Sequence, residues 1–515
     1  MAKEISPEIG RLGAYMNRVV LCVLDGFGLN PNPDHNAVAL ANTPVFDSLW
    51  QKVPSTTLIT FGERVGLPEG QMGTSEVGHL NIGAGRVVEQ WLLKIGNAIK
   101  RGDVRENAAF QRFLQNVSGA VHLIGLYSHG GVHSHRSHLH ALLPYFEGKT
   151  VKLHLITDGR DTAPTTSETE VRELQEILED FPNVEIVSVS GRFYAMDRDT
   201  RWERVEKAYK AMALGESPAT FDDPVAYIQS EYAAGRTDEF IEPEAATGYT
   251  GMQDGDGVLF WNFREDRMRE IVAAVAEPGF THFERPRVAS VALGFTKYKE
   301  EFETPAVFSE DKISDHLAET VSKAGGKQFH TAETEKYPHV TFFLNGGVEE
   351  AYTGEERNVV PSPREVKTYD EKPEMSAEGV CQNVLNAVNG EQYDLVVVNF
   401  ANCDMVGHTG VLEAAIKAVE TVDSCLGRIV DACKAHSTAL VVIADHGNAE
   451  QMLDYETGKP HTAHTTYPVP CMVINANGVS TLRDGGALCD VAPTVLELMG
   501  IAQPDAMTGK SLLNG

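Results

Sequence analysis

The sequence predicts an α/β protein of two domains, each a largely parallel sheet flanked by helices, with one domain interrupted by the other. Three observations predict it. Short apolar, β-branched runs recur and are continuous rather than alternating, as expected of strands buried on both faces. Segments of helical composition separate the runs, which end in polar or charged residues. Strand ends rich in Asp and His fall near both termini, whereas those rich in Arg fall in the middle.

In chain order, "RVVLCVLDG" predicts a strand ending at Asp25. "QMGTSEVGHLNIGAGR", residues 71–86, places Ser75 at the start of a predicted helix. Ser75 there suits either a helix N-cap or a nucleophile activated by something other than an adjacent base. Further strands follow in "VHLIGLYSHGGVHSH", "VKLHLITDGRD", "VEIVSVSGRFYAMDRD" and "DGVLFWNFREDR", with helices predicted over 167–180 and 199–212. "YDLVVVNFANCD" runs on to Asp404, and "ALVVIADHG" to Asp445 and His446. The crossings are predicted near 88–90 and within "YKEEFETPAV", so that 1–89 with 307–515 form one domain and 90–306 the other.

Bulk composition removes several classes. A chain of 515 residues exceeds a single core. Asp plus Glu outnumber Lys plus Arg by 73 to 44, a formal charge of -29, which argues against nucleic-acid or anionic-membrane partners. No run approaches the roughly 20 apolar residues of a membrane span. The seven cysteines form no Cys-x-x-Cys pair, so neither a disulfide framework nor a zinc knuckle is expected, and reducing cytoplasm is the expected location.

Two constellations point to chemistry. Asp404 and His408, four apart in "CDMVGHTG", face the same way on a helical turn. "ADHGN" adds Asp445 and His446, and "PHTAHTT" adds His461 and His464. With Asp25, these carboxylates and imidazoles supply ligands for two first-row divalent ions, an arrangement suited to phosphoryl transfer. Cys403 is expected to serve packing. A second histidine group, His129, His133, His135, His138 and His140, is expected to form a substrate-binding loop and following helix rather than another metal site.

In the central segment, Arg160, Arg192, Arg198, Arg264 and Arg267 stand at separate strand ends. Guanidinium forks match phosphate and carboxylate oxygens, so a small substrate bearing both groups would use them. Asp161 among them suits a base that takes a proton from a substrate hydroxyl and returns it.

Together "VLDGFG", "GLPEGQMGTSEVGHLNIGAGR", "GGVHSH", "DGRDT", "RFYAMDRD", "NFREDR", "EKYPHVTFFLNGG", "DMVGHTG", "ADHGNAEQM" and "HTAHTTYPVP" resemble, in order and spacing, the cofactor-independent (2,3-bisphosphoglycerate-independent) phosphoglycerate mutases of the alkaline phosphatase superfamily. The resemblance spans nearly the whole chain. It implies a phosphatase-like metal-binding domain built from both chain ends and an inserted phosphotransferase domain that grips substrate. It implies two Mn²⁺ ions, one held by Asp404, His408 and His464, the other by Asp25, Ser75, Asp445 and His446. His461 is the alternative to His464. Co²⁺ and Zn²⁺ are compatible with the same ligand types.

The resemblance further implies that Ser75 is the nucleophile and is phosphorylated in mid-cycle. Lys336 would neutralise the phosphoryl group, and Asp161 would act as acid/base. His133, Arg160, Arg192, Arg198, Arg264 and Arg267 would orient the substrate. The implied reaction interconverts 3-phosphoglycerate and 2-phosphoglycerate in glycolysis and gluconeogenesis, without 2,3-bisphosphoglycerate, in a monomeric enzyme. Three departures are Thr74 where Asn is usual, Glu265 between the paired arginines, and roughly fifteen residues before the first strand. A metal-dependent phosphatase or a phosphopentomutase-like enzyme would share the metal ligands. A non-catalytic metal- or sugar-phosphate-binding protein is the competitor from another class.

Overall fold

The structure is a computed structural model that describes residues 16–309 and 312–514. The expected N-terminal extension lies in residues 1–15, outside the described residues. The chain divides into two compact units, one running up to Gln90 and resuming at Lys312, the other covering residues 91–311. The second crossing therefore lies later than the expected 306/307, and the first lies after Gln90 rather than at 89/90. The reason for the later crossing is local. Val307 is buried in the core of the second unit, and its N–H donates to Gly294 O at 2.9 Å.

Among the described residues the first unit holds an eight-stranded sheet. In spatial order its strands are Glu355–Val360, Gln328–Glu333, Leu395–Phe400, Val19–Leu24, Ala439–Ile443, Val469–Ile474, Ser55–Ile59 and Gly486–Ala487. Only Val469–Ile474 runs antiparallel to its neighbours. Val19–Leu24, Leu395–Phe400 and Ala439–Ile443 are buried at every position, which accounts for their unbroken apolar sequences. Val23 pairs with both Asn399 and Ile443, so these three strands end level. The helix Leu412–Ala435 covers this sheet through Ala415, Ala418, Val419, Val422, Leu426, Ile429 and Cys433, an apolar face at spacings of three and four.

The second unit holds a seven-stranded sheet in the order Thr220–Phe221, Glu244–Ala246, Val184–Gly191, Val151–Thr157, Val121–Leu126, Gly257–Phe260 and Val291–Gly294. Only the Val184–Gly191 to Glu244–Ala246 pairing is antiparallel. Two apolar clusters fill the spaces between this sheet and its helices. The helix expected over 167–180 spans Ser167–Leu178. The one expected over 199–212 begins later, at Trp202, because Asp197 Oδ1 accepts the N–H groups of Asp199 (3.0 Å) and Arg201 (2.9 Å) in a preceding turn. No helix among the described residues is long and apolar enough to cross a membrane.

Candidate active site and metal centre

Four adjacent parallel strands of the first unit end on one edge, and the segment after each delivers a charged group. Lys336 follows Gln328–Glu333, Asp404 follows Leu395–Phe400, Asp25 follows Val19–Leu24, and Asp445 with His446 follows Ala439–Ile443. This is the carboxyl edge at which open α/β sheets hold ligands. Close approach is permitted by Gly26, whose φ is +76° and whose Cβ would stand 2.6 Å from Asp404 Cα.

Ser75 is brought to the same place by the helix Ser75–Ala84, of which it is the first residue. Thr74 is the N-cap, its hydroxyl accepting from Val77 N at 3.4 Å, so Ser75 Oγ is free for other partners. It lies 2.8 Å from His446 Nε2, 2.6 Å from Lys336 Nζ and 3.3 Å from Asp25 Oδ1. Thr74 thus keeps the capping role despite its departure from Asn.

Among the described residues, three groups each bring their donor atoms within 4.8 Å of one another: Asp404, His408 and His464; Asp25, Asp404 and His446; and Asp25, His79 and Asp445. His408 Nδ1 faces Thr462 O at 2.7 Å, and His464 Nδ1 faces Gly73 O at 2.8 Å. A ring that donates Nδ1–H to a carbonyl leaves Nε2 as a lone-pair donor, and both Nε2 atoms stand 3.1 Å from Asp404 Oδ1. His461 enters none of these groups; its N–H donates to Met452 O at 3.0 Å.

The charge balance fits divalent cations. Asp25, Asp404 and Asp445 are buried together, with the Lys336 ammonium bonded to Asp25 and Asp404 and the His79 ring 3.4 Å from Asp445, so carboxylates outnumber the lysine charge among them. Burial, then Asp445, push the Asp25 carboxyl up to about 7 against the opposing pull of Lys336. Burial works against the Lys336 charge, but Asp25 and Asp404 hold its ammonium above the ordinary lysine range. Burial pushes His446 down to about 4, which keeps it a neutral donor. Oxygen and imidazole ligands without thiolate suit Mn²⁺, Co²⁺ or Zn²⁺. Burial also pushes the Cys403 thiol up, so it stays protonated and packs in the core.

Sequence reasoning missed the groups that hold these ligands in place. Asn399 Nδ2 donates to Asp25 Oδ2 at 2.7 Å and to His79 Nε2 at 3.1 Å. Asn448 Nδ2 donates to Asp404 Oδ1 at 2.9 Å. Buried Glu450 accepts Gly28 N (3.1 Å), Asn448 N (2.7 Å) and the Thr465 hydroxyl. It thereby ties together the loops bearing Asp25, His446 and His464. For Asn448 and Glu450 the signal was proximity to the ligands in "ADHGNAEQM", and for Asn399 its place near the end of the run "YDLVVVNFANCD" that leads to Asp404.

The second unit repeats the arrangement with cations. Val184–Gly191, Val151–Thr157, Val121–Leu126 and Gly257–Phe260 are adjacent and parallel. Their ends deliver Arg192; Arg160 with Asp161; His133; and Arg264 with Arg267. Buried Arg192 donates through Nη1 to Asp158 Oδ1 at 2.6 Å and Asp161 Oδ2 at 2.5 Å. Asp266 binds Arg198 Nη1 at 2.7 Å and Arg264 Nε at 3.2 Å. Burial, then repulsion from Arg192, Arg198 and Arg160, lowers the Arg267 pKa, a sign that the guanidiniums converge.

Burial, then Arg192, push His133 down to about 4. Arg192 Nε and His133 Nδ1 are buried without a hydrogen-bond partner. Glu265 points elsewhere, 3.4 Å from Arg269 Nη2. Asp158 and Asp266 were not singled out in the sequence. The other histidines of the loop separate: His129 meets Glu170 (2.6 Å), His135 meets Ser137 (2.7 Å), His138 meets Leu92 O (3.0 Å) and His140 meets the Tyr127 hydroxyl (2.8 Å). Among the described residues they join no metal-holding group.

Comparison with known proteins agrees with this chemistry. The family model of the metalloenzyme superfamily matches residues 17–503. A 2,3-bisphosphoglycerate-independent phosphoglycerate mutase of Rhodopseudomonas palustris is 51% identical over 504 residues, covering 96% of this chain and 99% of that protein. One of Clostridium perfringens is 48% identical over 509 residues, with 96% and 99% covered. The crystal structure of Leishmania mexicana phosphoglycerate mutase, determined at low cobalt concentration, shares 31% identity at a TM-score of 0.63, covering 97% of this chain and 98% of that one. The chain belongs to the 2,3-bisphosphoglycerate-independent phosphoglycerate mutases, a family of the metalloenzyme superfamily.

Proposed function

We propose that the enzyme interconverts 3-phosphoglycerate and 2-phosphoglycerate through a phosphoserine on Ser75, without 2,3-bisphosphoglycerate. The observation that supports this most directly is Ser75 Oγ, held 2.6 Å from Lys336 Nζ amid buried carboxylates and imidazoles. Two Mn²⁺ ions would be held by Asp404, His408 and His464 and by Asp25, Ser75, Asp445 and His446. Bound there, they supply Lewis acidity that favours the Ser75 alkoxide and offsets phosphoryl charge.

In the proposed sequence, Ser75 Oγ enters deprotonated, as the alkoxide, and bonds to phosphorus while the bond from phosphorus to the glycerate O3 breaks. Lys336 donates to the phosphoryl oxygens, and Asp161, protonated at the start of this half of the cycle, delivers that proton to O3. Arg160, Arg192, Arg198, Arg264, Arg267 and His133 keep the glycerate from leaving. After the glycerate reorients, its O2 hydroxyl passes its proton to Asp161 and attacks phosphorus, and the Ser75 Oγ–P bond breaks. A hydrolase has no need to hold the alcohol product, and the arginine group favours transfer over hydrolysis. We place the enzyme in cytoplasmic glycolysis and gluconeogenesis as a monomer. Its seven free cysteines suit a reducing compartment.

Phosphorus NMR of 3-phosphoglycerate with Mn²⁺-loaded enzyme, lacking 2,3-bisphosphoglycerate, tests the reading. The 2-phosphoglycerate signal is expected with wild type and not with Ser75→Ala. Inorganic phosphate without the 2-isomer would indicate a phosphatase, and an active Ser75→Ala would reject the phosphoserine.

A further inference from the structure

We propose that Asp158 is a positioning residue for the proton-exchange step, acting through the single Arg192 nitrogen that it shares with Asp161. The inference rests on the mutase reading above. Asp158 is 1% exposed and directly follows the strand Val151–Thr157. Its Oδ1 accepts the backbone N–H of Arg160 at 3.2 Å and of Asp161 at 3.0 Å, an Asx-type turn that fixes where both side chains begin. Gly159, between them, has φ +67°, and a Cβ there would stand 2.7 Å from Glu239 N, so the turn has one way to run.

The same Oδ1 accepts Arg192 Nη1 at 2.6 Å, while Oδ2 accepts the Ser128 hydroxyl at 2.6 Å. Ser128 Oγ in turn accepts Gly130 N at 2.9 Å, and Ser128 O accepts Arg136 N at 2.8 Å, which pins the loop bearing His133. One buried carboxylate therefore joins the ends of three adjacent strands. Arg192 Nη1 stands between two carboxylates, 2.6 Å from Asp158 and 2.5 Å from Asp161. Charge-assisted bonds of this length fix the guanidinium plane. The charge of Asp158 thus limits how strongly Arg192 engages Asp161, the group placed to exchange a proton with the substrate.

The two roles of Asp158, shaping the turn and balancing charge, separate under substitution. Asp158→Asn keeps an oxygen for the Arg160 and Asp161 N–H groups but removes the charge beside Arg192. The pocket becomes more positive, so KM for 3-phosphoglycerate should stay level or fall, while kcat falls at least tenfold. Asp158→Ala loses the turn as well, and KM should rise at least fivefold with kcat also reduced. A residue that only filled space would be rescued by Asn.

The measurement is steady-state kinetics of Mn²⁺-loaded variants in both directions, with thermal melting to confirm folding. Asp158→Asn with kcat within threefold of wild type, or with KM rising in step with the loss of kcat, would overturn the proposal. Should Asp158→Asn fail to fold, Ser128→Ala replaces it: a several-fold fall in kcat without a rise in KM is expected, and unchanged kcat counts against the idea. Wild-type enzyme unable to convert 3- to 2-phosphoglycerate would instead reject the function itself.

Discussion

Lys336 Nζ lies 2.6 Å from Ser75 Oγ, across 261 residues of sequence, and donates to Asp25 Oδ1 at 2.8 Å and Asp404 Oδ2 at 2.7 Å. One buried ammonium thus touches the proposed nucleophile and two proposed metal-ligand carboxylates. Removing it should cost transition-state charge neutralisation more than substrate affinity. Lys336→Met is expected to lower kcat by about 10²–10³-fold with KM changed far less, the range seen when one charge-stabilising donor is lost. Stopped-flow and steady-state assays would reveal the split; an equal loss in KM alone would contradict it.

Glu450 accepts hydrogen bonds from the loops that carry Asp25, His446 and His464, so it is expected to set metal affinity indirectly. Glu450→Ala removes the oxygen that both Gly28 N and Asn448 N donate to and the one that accepts the Thr465 hydroxyl, loosening the loops of Asp25, His446 and His464. Mn²⁺ affinity measured by calorimetry should weaken by ~10–100-fold, the usual cost of losing an outer partner. Chelation of wild type should abolish activity and lower the melting temperature, and added Mn²⁺ should restore both. Affinity equal to that of wild type in the variant would remove Glu450 from this role.

Asp266 holds Arg198 and Arg264, whose side chains are half exposed. Arg198→Met and Arg264→Met should each raise KM for 3-phosphoglycerate by roughly tenfold with a smaller change in kcat, the pattern of lost uniform binding. Loss of kcat with KM preserved would move these arginines from binding to chemistry.

Glu333, buried at the end of Gln328–Glu333, accepts Ser376 N at 2.9 Å. Burial pushes its carboxyl up to about 7 from an ordinary 4.5, with Glu335 adding to the shift and Lys372 opposing it. Folding therefore favours the protonated form. Its contribution is complete below pH ~4.5 and is lost as pH rises through about 7, a change on the order of 3 kcal/mol. Glu333→Gln should be stabilised relative to wild type at pH 8 and little changed at pH 5. Urea unfolding at the two pH values checks the sign, and a gap that is larger at pH 5 would reverse it.

The sequence by itself determined the fold class, because strands covered on both faces must be written as unbroken apolar runs, as in "LVVVNF" and "VVLCVL". It also exposed Asp25, Asp404, Asp445 and the arginines, since strand ends are where charge follows an apolar run. Motif spacing beyond that rested on resemblance. Tertiary structure alone decided which strand ends are neighbours. The order Gln328–Glu333, Leu395–Phe400, Val19–Leu24, Ala439–Ile443 puts Lys336 beside Asp404 and Asp25, and no local spacing encodes that order. It alone showed that Thr74 takes the capping bond and leaves Ser75 to the cluster. Asp158, Asn399, Asn448 and Glu450 stayed hidden in the sequence for the same physical reason. A buried polar side chain is recognised by the partners that satisfy it, and those partners come from loops far apart along the chain.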